Sequence, residues 1–77
     1  NNNDIENLDQ RGRSREAIKE TETAISRVVS GEKRVELMAQ PPYVRRLQHG
    51  LAARNNLGSA STGREPSRRV VIRRRKR

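Results

Sequence analysis

Cysteine, phenylalanine and tryptophan are absent from this 77-residue chain, and one tyrosine is its whole aromatic content. Without cysteine there is no disulfide framework and no thiolate metal site, and a reducing cytoplasmic compartment is the expectation. One histidine cannot supply a zinc site of the usual kind, and no Gly-rich phosphate loop ending in Lys-Ser/Thr is present to hold a nucleotide. No side-chain nucleophile has an orienting base near it in sequence, so the chain is not expected to be an enzyme or to carry a metal or cofactor. The missing aromatics argue against a surface that stacks successive bases. No apolar run approaches the length of a membrane span, and no signal-peptide pattern opens the chain. It also begins without methionine, which suggests a piece of a longer protein whose other domains are further expected partners.

Acidic residues are missing from one half in particular. Residues 1–40 hold seven Lys/Arg against eight Asp/Glu, a net −1, whereas residues 41–77 hold eleven against the single Glu65, a net +10. Ten of those eleven cations are arginines, whose planar guanidinium suits bidentate contact with phosphate. A polyanion is therefore the expected partner of the second half, and nucleic acid is the commonest one. With 30% hydrophobic and 35% charged residues, the chain lies between a lean globular domain and a disordered segment.

What remains is enough for one small domain. Residues 1–13 are polar, show no hydrophobic period and read as an arm. From Ser14 an N-cap serine, Glu16 in the first turn, a repeat through Ile18, Thr21, Ile25 and Val28, and Gly31 as a stop predict one amphipathic helix over 14–30. Val35, Leu37 and Ala39 then alternate with Arg34, Glu36 and Met38, a half-buried strand. Pro41 and Pro42 end it and suit the first turn of a second helix, running to about Asn55. Residues 58–63, GSASTG, have poor strand propensity, while RRVVIR at 68–73 is a good strand with Val70 and Ile72 on one face and Val71 on the other. GREPS is a turn, and the final basic residues are too charged to pack. The order helix, strand, helix, strand, strand predicts an α+β fold with helices on one face of a small sheet.

At about 100° per residue, Val44, Leu47 and Leu51 fall within about 60° of one another and define the expected buried stripe of the second helix. Arg45 and His49 lie about 130° and 170° from its centre, one turn apart, and are expected on the solvent face.

The stretch RVELMAQPPYVRRLQH, followed by STGREPSRRVVI, resembles the R-three-H domain, a family named for an arginine and a histidine separated by three residues, here Arg45 and His49. The Arg-xxx-His spacing is common in a basic chain. Its setting is more specific: a strand ending in proline before the motif, then Gly63, Glu65, Pro66, Arg68 or Arg69, and the apolar strand Val70 to Ile72. The resemblance covers about residues 14–73 and implies a small three-stranded antiparallel sheet with two helices packed on one face. A strand contributed from Asp4 to Leu8 of the arm is then expected, and residues 74–77 remain a basic tail.

The resemblance further implies binding of single-stranded RNA or DNA without catalysis, in a module that follows a KH domain in Jag-type proteins or a P-loop ATPase domain elsewhere. Arg45 and His49 carry over to a phosphate-contacting patch, and Arg64, Arg68, Arg69 and Arg73 join them as expected nucleic-acid contacts. One arginine of the turn is expected to pair with Glu65, a structural anchor rather than a general base. For about five phosphate contacts on a single strand, the log-log salt dependence of affinity would be roughly −3.5. The rival expectation is a protein-interaction module that docks through Glu16, Glu20 and Glu22 of the first helix. Membrane attachment through the tail lacks an apolar anchor.

Overall fold

The computed structural model describes residues 2–75, with side chains placed for residues 11–75. The elements follow in the order α1 (Asn2–Val29), β1 (Arg34–Glu36), α2 (Pro42–Arg54), β2 (Leu57–Thr62) and β3 (Arg69–Arg74). The sheet is antiparallel with strand order β1-β3-β2, so the apolar strand is central and both shorter or weaker strands are edges. Two helices and this sheet give the expected α+β fold.

Helix α1 starts earlier than the N-cap serine suggests. Asp4 to Leu8 belongs to α1 and not to an edge strand, and the third strand is Leu57–Thr62 instead. No proline interrupts the chain before Pro41, so nothing in the backbone obliges the helix to begin at Ser14. Its end is as expected: Glu32 N–H bonds to the Arg27 carbonyl at 3.0 Å and Gly31 N–H to that of Val28 at 3.1 Å, a Schellman closure. Gly31 has φ +129°, which a side chain would resist. Arg27 and Glu32 form an ion pair across the same turn.

The buried face of α1 is Ala17, Thr21, Ala24, Ile25 and Val28. Thr21 stays buried because its hydroxyl donates to the Ala17 carbonyl at 2.6 Å. The lower part of this face meets Val35 and Leu37 after the α1 turn, Ala52 of α2, Leu57 of β2, and Val70 and Ile72 of β3. β1 is shorter than the alternation through Ala39 implies, although Leu37 N–H still bonds to the Val70 carbonyl at 2.8 Å. The Met38 amide then leaves the sheet and donates to the Glu20 carboxylate at 2.9 Å, which ties the chain to α1. At the far end β3 takes in Arg74, which was expected in the tail; residues 76 and 77 lie outside the described residues.

Despite its small, flexible residues, 57-LGSAST-62 pairs along its whole length, from Leu57 opposite Arg74 to Thr62 opposite Arg69. The register places Ser59 beside Ile72 and Ser61 beside Val70, on the face that carries the helices. Gly58 sits opposite Arg73 and Ala60 opposite Val71, on the other face.

Candidate nucleic-acid interface

The buried stripe of α2 is Val44, Arg45, Gln48 and Ala52, not Val44, Leu47 and Leu51. Leu47 is 45% exposed and Tyr43 37%, while Arg45 is 8% exposed and Gln48 fully buried. The helix is turned by roughly 90° from the orientation its apolar residues favour. In this orientation Arg45 faces Gln40 and Glu65.

Arg45 is corrected from a solvent-facing residue to a cross-link. Its Nη1 donates to the Gln40 carbonyl at 2.6 Å, and Nη1 and Nη2 donate to Oε1 and Oε2 of Glu65, both at 3.1 Å. One guanidinium thereby holds the segment entering α2 and the turn between β2 and β3, where the Glu65–Pro66 peptide is cis. Glu65 is an anchor as expected, but its partner is Arg45 and not an arginine of the turn. Glu65, the one carboxylate in the basic half, is thereby spent on Arg45 and does not offset the turn's own arginines.

His49 is likewise corrected: it is half-buried rather than exposed, its ring lying between α2 and β2. Nδ1 is hydrogen-bonded to Ser59 Oγ at 2.7 Å and Nε2 to Ser61 Oγ at 2.8 Å. In a neutral ring one nitrogen donates to its serine and the other accepts a serine O–H. Burial, and then the nearby Arg45 guanidinium, push the imidazole below the ordinary 6.5 and favour this neutral form. Sequence reasoning missed the two serines. Their i, i+2 spacing on a strand, which places both hydroxyls on one face, was the available signal.

Beside His49 a cleft of about 610 Å³ opens at the β2 edge, lined by Ala53, Gly58, Ser59, Arg73 and Arg75 among others. Arg73 lies flat over Gly58: a Cβ there would come 3.0 Å from its Nη1. Small side chains on β2 thus let guanidinium groups rest against the strand. The remaining expected contacts sit at the closed end of the hairpin. Arg68 donates to the Gly63 carbonyl at 2.7 Å, closing the turn. Arg69 pairs with Glu36 of β1 and donates to the Ser67 carbonyl at 3.1 Å. Arg64 is exposed.

The structure therefore brings His49 and Arg73 together, adds Arg75, keeps Arg64 and Arg68 at the opposite end of β2, and uses Arg45 and Arg69 as ties. Arg69 and Arg73 are four residue steps apart along the strand, roughly 13 Å. Among the described residues, no cluster of His, Cys, Asp or Glu could hold a metal ion, and no helix is long and apolar enough to cross a membrane. The family model for the R-three-H domain matches residues 16–74, well over half of the chain. No curated protein matches the sequence significantly.

Proposed function

Since the chain belongs to the R-three-H domain family, whose modules generally bind single-stranded nucleic acid, we propose that this one does so along its β2 edge. Arg73 and Arg75 contact phosphate at one end, Arg64 and Arg68 at the other, and His49 lies between them. The observation that supports this reading best is the cleft shared by His49, Arg73 and Arg75 against a strand of small residues. Phosphates of an extended single strand are spaced closely enough for two or three of them to follow roughly 13 Å of strand. A duplex is too wide to lay one backbone in so small a cleft while keeping both ends in contact.

Arg45 acts as a positioning residue in this scheme. It holds Glu65 and the turn that carries Arg64 and Arg68, and it keeps α2 at the rotation that presents His49 to β2. The ligand-bound state draws on His49 as well: a phosphate close to the ring opposes the pKa-lowering effect of burial and of Arg45. Binding therefore takes up a proton, and affinity rises as pH falls. RNA and DNA both offer this phosphate chemistry.

Fluorescence anisotropy of a short labelled single strand against its duplex tests the reading. Single strands should bind better, and Gly58→Ala should weaken them several-fold without loss of fold, because its methyl group displaces Arg73 and removes no charge. Equal binding of duplex and single strand, together with no effect of Gly58→Ala, would overturn it.

A further inference from the structure

The flank of α2 turned away from β2 carries a second feature. Tyr43, Leu47 and Leu51 form one ridge at i, i+4, i+8, and each is at least partly exposed. Ile18 of α1 lies beside them, and it lines both a groove of about 780 Å³ with Tyr43 and a smaller one of about 240 Å³ with Leu47 and Leu51. The two grooves meet at Ile18, their shared lining residue. Their floor is apolar. Their rims are cationic: Arg11, Arg15 and Lys19 follow one another at i, i+4, i+8 along α1, and Arg46 and Arg54 flank the α2 side. Among the described residues, Glu22 is the one carboxylate in the lining.

We propose that this groove docks an acidic amphipathic helix of a protein partner. Charge complementarity selects the occupant. Among the described residues, five cations and one carboxylate surround leucine, isoleucine and tyrosine, which suits a helix with an apolar stripe flanked by Asp and Glu. From Tyr43 to Arg54 the groove runs roughly 16 Å, or three helical turns, enough for anchors at i, i+4 and i+7. Nucleic acid has no use for the leucines, and in the function proposed above its phosphates lie on the other flank of the helix. The surface also differs from docking through the acids of α1, since Glu20 is already bonded to the Met38 amide.

The test uses the whole 77-residue chain and a fluorescent synthetic helix of about 18 residues with leucines on one face and glutamates beside them. A control peptide of the same composition has its leucines scattered round the helix. The ordered peptide should bind about ten-fold more tightly than the scattered one. It should shift the backbone NMR signals of Ile18, Leu47 and Gly50, and lose about ten-fold in affinity with Leu47→Glu while keeping it with Leu47→Met. Leu47 is exposed, so the charged variant should fold, which far-UV circular dichroism checks. Any of four results would overturn the proposal. The peptides could bind equally; the shifts could map to β2 and β3; Leu47→Glu could leave the affinity unchanged; or sedimentation could reveal a dimer that Leu47→Glu dissolves, making a second copy the occupant. The groove is read with peptide and Leu47→Glu, the β2 cleft with oligonucleotide and Arg73→Glu, so either can fail alone.

Discussion

The two flanks of α2 are both basic, yet they differ in what lies between the charges. On the β2 side the lining is mostly small, Ala53, Gly58 and Ser59 beside a single leucine, Leu57, with His49 half-buried among them. On the α1 side it is Ile18, Leu47 and Leu51. Net charge alone does not distinguish these surfaces. Small residues let a guanidinium lie close to the backbone, from where it can meet a solvated phosphate. An aliphatic floor offers only area, which is worth something to a partner that brings apolar side chains of its own.

Reversing the charge on one flank separates the two surfaces most strongly. Arg73→Glu with Arg75→Glu should weaken single-strand binding on the order of 30-fold and reduce the magnitude of the log-log salt slope by roughly 1.4, the share of two phosphate contacts. Salt titrations followed by anisotropy check both figures, and peptide binding in the α1 groove should change little. If the oligonucleotide still binds as before, the phosphate track does not run through this cleft.

Next in size is the tie that orients the helix between its flanks. Arg45→Ala should cost about 2 kcal/mol, toward the low end for a broken buried pair because Glu65 is half exposed to solvent. For a domain this small that is a fall of about 10 °C in Tm, whereas the exposed neighbour Arg46→Ala should change stability by about 0.5 kcal/mol or less. Thermal melts of the two variants side by side make the check. Similar, small shifts for both would mean that the Arg45–Glu65 link does not set the orientation of α2.

Gln48 gives a smaller effect of opposite sign. Its side chain is fully buried, and neither end of the amide has a hydrogen-bond partner among the described residues. Gln48→Met keeps the volume and removes the unmet polar groups, so stability should rise by about 1 kcal/mol, seen as a higher denaturant midpoint with unchanged slope.

The smallest effect is the pH dependence of the free domain. The folded pKa of His49 lies below 6.5, so the unfolded chain takes up its proton first as the solution is acidified. Stability is therefore complete above about pH 6.5 and is lost as pH falls from there toward the lowered folded value. Tm measured at about pH 7.5 and 5.5 should show this, and His49→Gln should remove that increment. Bound nucleic acid should reverse the trend for affinity, which rises on acidification; a flat affinity profile would place His49 out of reach of phosphate.

Much was legible in the chain before folding. Gly31 ended α1 because only a residue tolerant of positive φ closes the helix there, and Pro41 and Pro42 opened α2 for an equally local reason. The Arg-xxx-His spacing within its proline and glycine punctuation pointed to the family, and the single carboxylate among eleven cations marked Glu65 as an anchor. The rotation of α2 was not legible. Local periodicity favours burying Val44, Leu47 and Leu51, which is sound whenever apolar area decides the matter. Here Arg45 reaches Glu65 across twenty residues of sequence, and His49 reaches two serines on a strand whose propensity is poor. Such contacts exist only once β2 and β3 have paired, because the register of that hairpin sets where the carboxylate and the hydroxyls stand. The elements after residue 14, their order and the sign of the surface were written in the chain itself, since each depends on residues within a few positions of one another. Which side of α2 faces inward, and with it which residues meet a ligand, was decided only in the folded molecule, where long-range ion pairs and hydrogen bonds outweighed a weak apolar stripe.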